Sequence, residues 1–394
     1  MGSSTVPARG TRPPNRRSLI VTAATTLFAR DGYEYVGMSE VADAVAVRPS
    51  ALYRHFPSKE AILVDIIRIG VSTLEQAVDD LDISAGRDGL KQLAGTIIAN
   101  RDAAALVGRE TAHLGTGSRR EVRQSLARVG RTLADKLRGG RPGATADEAS
   151  VLAWALLAVL RTPAFAHSDL RDTDCIEHLT ELSARLLTVS SPLELGTRRA
   201  PAVRGIVHAS RREALLAEAI ALFAERSYTD VGIEEVGAAL GIAGPSIYNH
   251  FKSKSEILAT ALSRGSAYLS LQVADTLATT EHPAVALERL TRGYVDFAFA
   301  HPALIDLMIS ETRSLPPQEQ QATVAAQRTH ILELAALLQR LDSGLGPSQA
   351  RLSVSAGLMI GNDIARIPRL RAHDGAPQVV GRLIGQLLTP RTVV

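Results

Sequence analysis

The sequence predicts an all-α protein built from two like units in tandem, and three observations carry that expectation. The chain repeats itself: residues 16–63 fall without a gap on 211–258 after a shift of 195, and 19 of the 48 aligned positions are identical. Apolar residues recur at helical spacing, as in Ile20, Ala24, Leu27 and Phe28, and again in Leu215, Ala219, Leu222 and Phe223. Alternating apolar and polar runs of useful strand length are missing. Solenoid repeats recur every ~20–50 residues, so this longer period marks two whole domains rather than a stacked array.

Composition narrows the classes. The chain has 394 residues, enough for two or more domains with cores of their own. Its net charge is only +3, and five of its 44 basic residues are Lys. Arg favours planar, bidentate partners such as phosphate and guanine edges. A GC-rich genome gives the same bias, so charge alone supports nucleic-acid binding weakly. The single Cys175 excludes an internal disulfide and a Cys-cluster metal site, and fits a reducing cytoplasm. The first 17 residues are rich in Arg, Pro and Ser without an apolar stretch, unlike a signal peptide. The longest apolar run, 151–160, is far short of the ~20 residues that span a bilayer. A cytoplasmic protein without a membrane partner is expected.

Breakers order the chain. Asp31-Gly32, the run 139–143, Ser343-Gly344 and Gly346-Pro347 separate periodic stretches, and 190–202 carries Pro, Gly, Ser and Arg without periodicity. The expected domains are a disordered basic arm (1–15), a head (16–64), a helical body (65–189), a linker (190–209), a second head (210–259) and a second body (260–390). Beyond the heads one echo survives, Leu106-Val107-x-x-Glu110-Thr111 against Leu307-Met308-x-x-Glu311-Thr312, now at an offset of 201.

Within the repeated segment the pattern is long helix (17–30), short helix (38–45), tight break (46–48) and second short helix (49–55). Two short helices joined by a three- to four-residue turn match a helix-turn-helix, whose second helix can enter a major groove about 12 Å wide. Leu52 and Phe56 stand i, i+4 on one face of that helix, leaving Arg48, Ser50, Tyr53, Arg54 and His55 for DNA. Ser58 caps the next helix, with Lys59 at its positive end, a favourable phosphate position. The second unit adds a capping box, Ser253-x-x-Glu256.

The strings Tyr53-x-His55-Phe56-x-Ser58-Lys59 and Tyr248-x-His250-Phe251-x-Ser253-Lys254, each preceded by Leu-Phe, Val-Gly and Glu-Val, resemble the TetR/AcrR family of bacterial transcriptional regulators. The resemblance covers 16–63 and 211–258. It implies three-helix DNA-binding heads, each followed by a helical body that binds ligand and dimerises. The tandem arrangement looks like that of actinobacterial regulators with two units in one polypeptide. Carried over by position, Tyr53, His55, Lys59, Tyr248, His250 and Lys254 would grip phosphates. Base edges would be met by Arg48, Pro49, Ser50, Ala51 and Arg54 in one head and by Ala243, Gly244, Pro245, Ser246 and Asn249 in the other. Two departures stand out: Gly37 and Gly232 replace the family's usual Ser or Thr, and so do Arg48 and Ala243 at the start of the recognition helices.

Ordinary family members pair their last two helices with those of a second subunit. Here 148–160 with 174–188, and 349–364 with 378–388, are placed to pair within one chain as a pseudo-dimer, with Ala153, Ala155, Ala158, Ala356, Gly357 and Gly361 allowing close approach. Tethering at millimolar-scale effective concentration favours that intrachain pairing; a homodimer of tandem chains stays open. Pocket candidates are Leu106, Val107, Glu110, Trp154 and Phe165 in the first body, and Tyr294, Phe297, Met308, Glu311 and Met359 in the second. Only fifteen aromatics in the chain favour an aliphatic or acyl ligand over a large planar one. No Gly-x-Ser-x-Gly, His-Glu-x-x-His or P-loop is present, so no enzyme, cofactor or metal is expected. The function expected is a DNA-binding regulator, a repressor relieved by a small apolar effector. A sensor or carrier with degenerate heads is the alternative. Because the two recognition helices differ while their phosphate-gripping residues match, the operator expected is double-stranded DNA with two unlike half-sites.

Overall fold

The computed structural model describes residues 15–166, 168–190, 192–199, 206, 208–242 and 244–390. The arm expected at 1–15, apart from Asn15, lies outside the described residues, as do Ala243 and parts of the linker. Helices α1 (Arg16–Asp31), α2 (Met38–Ala44), α3 (Pro49–Leu52) and α4 (Lys59–Asp79) are followed by α5 (Arg87–Ala99), α6 (Arg101–Glu110), α7 (Thr116–Gly139), α8 (Ala146–Arg161) and α9 (Asp172–Leu187). The second half repeats the order with α10 (Arg211–Arg226), α11 (Ile233–Ala238), α12 (Gly244–Ile247), α13 (Lys254–Thr279), α14 (Pro283–Ala300), α15 (Pro302–Ser310), α16 (Pro317–Leu341), α17 (Pro347–Arg366), α18 (Pro368–Arg371) and α19 (Ala376–Leu388). Among the described residues there is no strand, only an isolated bridge between Arg198 and His373. No described helix is long and apolar enough to cross a membrane.

The chain divides into two compact units, one of residues up to 80 with 99–129, the other of 81–98 with 130 onward. The first unit is built on α1, α4 and α6. Ile20, Phe28, Leu52, Phe56, Ile66 and Leu106 make its core, all at most 1% exposed. Gly70 of α4 lets α6 come close, since a Cβ there would lie 3.2 Å from that of Ala103.

The second unit contains the second head and the last helices of both bodies. Helix α8 is buried almost all round from Glu148 to Leu160, as is α17 from Leu352 to Ala365, and the two pack on each other. Helix α8, apolar on nearly every side from Val151 to Leu160, belongs in a core. Around them α9 packs on α19. The four helices form an intrachain interface between the bodies, as expected. Gly357 permits the approach of α19, for a Cβ there would meet Ile384 at 3.1 Å.

The described stretch of the linker, 192–199, is a strap rather than a loose tether. Leu193 and Leu195 are buried, and the Leu193 N–H donates to Glu148 at 2.5 Å. Gly375 N–H donates to the Leu195 carbonyl at 2.9 Å, and Arg199 N–H to that of Ala372 at 2.8 Å. Arg198 reaches Asp147 at 2.6 Å. Residue 375 must be Gly, because a Cβ would lie 2.5 Å from the Glu194 carbonyl oxygen.

The turns between the paired short helices expose one unequal choice. Ala46 is left-handed (φ 54°), and 195 positions on Gly241 takes the same conformation (φ 67°). That region costs a residue with a Cβ roughly 1–2 kcal/mol. Nothing stands within 4 Å of a Cβ built at Gly241, so backbone strain alone decides the outcome there. Gly241→Ala is expected to cost about 1 kcal/mol, and Ala46→Gly to gain up to about 1 kcal/mol. Urea unfolding of both variants checks this; equal or reversed signs would show the turns unstrained.

Candidate nucleic-acid interface

Each head is assembled the same way. The apolar stripe of α1 buries Phe28, whose ring meets Tyr33 edge-on at 5.2 Å, as Phe223 of α10 meets Tyr228 at 5.2 Å. Helix α2 is preceded by Gly37 as its N-cap, whose N–H donates to Glu40 at 2.6 Å; Gly232 N–H donates to Glu235 at 2.9 Å. The carboxylate, three residues on, supplies the half of a capping box that needs no cap hydroxyl. Accepting from Gly232, and then pairing with Arg226, holds the Glu235 carboxyl below its ordinary range.

The recognition segment is shorter than expected. Helix α3 spans Pro49–Leu52, and Tyr53 to His55 form a turn in which His55 and Phe56 N–H both donate to the Leu52 carbonyl. Pro49 suits the first helical position, where its missing N–H leaves no gap. Leu52 and Phe56 are fully buried and turn the opposite side outward. Arg48, Pro49, Ser50, Tyr53 and Arg54 are exposed, while Ala51 and His55 are half-buried. In the second head Pro245, Tyr248 and Asn249 are exposed, Ser246 and His250 half-buried, and Gly244 opens α12. Tyr53 and Tyr248 are 53% and 49% exposed, so neither is a packing residue.

Two features escape a reading of motifs. Arg17 clamps the end of the recognition segment, donating to the His55 carbonyl at 2.8 Å and to Asp65 at 2.6 Å, its guanidinium 4.1 Å above the Phe56 ring. Arg212 does the same with the His250 carbonyl and Phe251. Their identity at the 195-residue offset is the one signal in the sequence.

The second feature corrects the reading of Lys59 and Lys254. Lys59 Nζ donates to the Tyr33 carbonyl at 2.8 Å and that of Glu34 at 3.4 Å, over the Tyr33 ring at 4.3 Å. Lys254 Nζ donates to the carbonyls of Tyr228, Thr229 and Val231 and lies 4.3 Å from the Tyr228 ring. Burial lowers the Lys254 pKa. Both ammonium groups brace the loop before the second helix instead of facing outward. Ser58 and Ser253 do cap their helices, accepting from Ala61 and Glu256 N–H, but Glu256 reaches the Lys252 N–H rather than completing a box with Ser253.

Two pocket candidates also sit elsewhere. Glu110 is buried beside His113, whose Nε2 is 3.4 Å away, and His113 Nδ1 lies 3.3 Å from Glu34 of the head. Glu311 accepts from the Ser314 hydroxyl at 2.8 Å and the Tyr228 N–H at 3.4 Å. Both carboxylates join a body helix to the loop of its own head. Leu106 and Val107 belong to the core of the first unit. Trp154, in the second unit, lays its indole on Gly130, where a Cβ would come within 2.9 Å; Phe165 is half-buried and 5.7 Å from the Arg161 guanidinium.

In the second body two of the candidates meet. Phe297 and Met308 meet at Gly265, and Phe297 stacks on Tyr268 at 5.2 Å. Tyr294 donates to Asn362 at 2.9 Å, and its ring stacks on His330 at 5.7 Å. Met359 is buried. A separate cleft of about 680 Å³ opens between α14 and α19, lined among others by Leu287, Thr291, Leu341 and Leu388, and by none of the expected pocket residues. No group of three His, Cys, Asp or Glu among the described residues is placed to hold a metal.

Residues 20–66 and 215–261 each match the family model described as bacterial regulatory proteins, tetR family. The chain carries two tetR-family units in tandem. It is a DNA-binding regulator of that kind. The HTH-type transcriptional activator FasR of Mycolicibacterium smegmatis is 28% identical over 156 residues, 40% of this chain and 71% of that protein. The HTH-type transcriptional repressor KstR2 of the same organism is 26% identical over 97 residues, and the chain spans about half of that relative's length (47%). Among solved structures, a TetR-family regulator from Bordetella parapertussis is 17% identical with a TM-score of 0.43, over 46% of this chain and 95% of that one. The ketosteroid transcriptional regulator KstR2 of Mycobacterium tuberculosis is 22% identical with a TM-score of 0.41, over 46% of this chain and 94% of that one.

Proposed function

We propose that this tandem tetR-family chain represses transcription from an operator with two unlike half-sites, and that a small apolar, lipid- or acyl-like effector releases it. The observation that carries the operator reading is the contrast on the two recognition segments. Both heads share Tyr, His, the Arg clamp and the Lys brace, so their docking geometry is alike. Their exposed residues differ: Arg48 and Arg54 in one, Pro245 and Asn249 in the other. Arg pairs with guanine and Asn with adenine, each good pair discriminating by about 1–3 kcal/mol. The half met by Arg48 and Arg54 is the G·C-rich one.

The apolar effector is supported by the second body, where Phe297, Met308 and Leu304 converge on Gly265, and Tyr294 and Met359 are buried. Helix α15 packs on α10, and Glu311 at its end holds the Tyr228 N–H of the head loop. A ligand that shifted α15 would thereby move the second head. The relatives include an activator and repressors; repression is the sign proposed here. Intact heads in both halves weigh against a carrier with decayed DNA binding.

Selection of preferred sites from a random DNA library by the purified chain tests this reading. The expected product is a non-palindromic site, and Arg54→Ala should relax base preference in one half only. A perfect inverted repeat as the best binder would overturn the asymmetric operator.

A further inference from the structure

The two bodies share one register. Helices α7 and α16 start at Thr116 and Pro317, the short turns Thr111–His113 and Thr312–Ser314 correspond, and the caps of α8 and α17 stand at Thr145 and Gly346, all 201 positions apart. The closing sequences Leu186-Leu187-Thr188 and Leu387-Leu388-Thr389 keep the same offset. In a symmetric pairing of two bodies, every contact would therefore recur between residues displaced by that amount.

Two sets of polar contacts across α8, α9, α17 and α19 do not recur, although a third does: Arg185 donates to the Thr389 carbonyl and, 201 positions on, Gln386 donates to the Thr188 hydroxyl. Arg161 pairs with Asp363 at 2.6 Å, with side chains 14% and 6% exposed. The corresponding positions are Asn362 and Thr162, whose polar groups are engaged inside their own bodies, with Tyr294 and with the Ala158 carbonyl. His178 Nε2 lies 2.8 Å from the Ser353 hydroxyl and 3.2 Å from the Gln349 carbonyl, both on the other body. Val379 and Leu152, both buried and apolar, stand at the positions matching His178 and Ser353. At these two sites each body carries polar residues whose complements exist only on the other.

We infer that Arg161, His178, Ser353 and Asp363 are a pairing code that admits one first body with one second body and rejects like with like. Two first bodies brought together in this register would set each Arg161 against Thr162 and each His178 against Leu152. Two second bodies would set Asp363 against Asn362 and Ser353 against Val379. An ion whose partner is removed inside an interface weakens pairing by ~10²–10³-fold, whereas the complementary pair is tolerated. The partner this surface fits is therefore a second-type body, from the same chain or a swapped one, and the assembly always holds one head of each kind. The inference rests on the interface and stands whether or not the operator is asymmetric.

Three variants of the full chain test it by sedimentation velocity and circular dichroism, at several protein concentrations. R161D is expected to open the intrachain interface and change the wild-type distribution of species. R161D/D363R, which reverses the pair, is expected to restore that distribution. T162D/D363T moves the carboxylate onto the first body, making that body self-complementary; it is expected to give concentration-dependent association between chains at unchanged helicity. Failure of the reversed pair to improve on R161D would overturn the code, as would wild-type behaviour of a folded T162D/D363T. Should that last variant not fold, the reversed pair decides alone.

Discussion

Replacing Lys254 by methionine is expected to destabilise the second head by about 2–3 kcal/mol, and Lys59→Met to destabilise the first by somewhat less. Lys254 donates to three carbonyls and Lys59 to two, each over a tyrosine ring. Hydrogen bonds to a charged group contribute about 1.5–3 kcal/mol, and carbonyls left unpaired in a half-buried loop add to the loss. Methionine keeps the apolar stem against the ring and removes only the donors. The check is urea unfolding beside a titration with operator DNA. An earlier unfolding transition, with affinity falling only as the head unfolds, agrees with a brace. Unchanged stability with weaker binding to every sequence would return both lysines to the phosphate backbone.

The difference between those outcomes shows where sequence is legible. The heads can be read because their folding logic is local and written twice: Leu52 and Phe56 at i, i+4, Pro49 opening a helix, Ser58 capping the next. The pairing of the bodies is also legible, since α8 is too apolar to face water and α17 carries the small residues Ala356, Gly357 and Gly361 that allow close approach. What a side chain touches across the fold is not. A lysine at a helix N-terminus reads as a phosphate ligand until the carbonyls of a loop 26 residues earlier fill its coordination. Glu110 and Glu311 read as pocket groups because periodicity places them on central helices, but only packing shows that they face the heads. The strap at 192–199 lacks periodicity altogether and is held by hydrogen bonds to distant residues, which no window of sequence contains. His330 is not legible in the sequence, because a lone histidine on a long helix carries no pattern.

Lowering the pH from 6.5 to 4 is expected to cost the protein about 3 kcal/mol of stability through His330 alone. The ring lies in the core of the second body, 7% exposed, and neither nitrogen has a hydrogen-bond partner. Burial drives its pKa down from 6.5 to about 4. The unfolded chain thus takes up a proton near pH 6.5 that the folded chain refuses until near pH 4. Between those values the unfolded state binds more protons, so stability falls as pH falls, by about 1.4 kcal/mol per unit. Above pH 6.5 the ring is neutral in both states and contributes no slope. Tyr294 beneath it, pushed up to about 12 by burial, does not titrate in this window. His330→Phe preserves a flat ring against Tyr294 and removes both unpartnered nitrogens, whose burial costs about 1–3 kcal/mol each. The variant should therefore equal or exceed the wild type in stability at pH 7 and pull further ahead by about 3 kcal/mol at pH 4. Denaturant unfolding of both proteins across this range gives the difference directly, since carboxylates titrating in common cancel. A wild-type-minus-variant difference that stays flat with pH would mean that the ring is protonated inside the fold, and that a carboxylate or water reaches it.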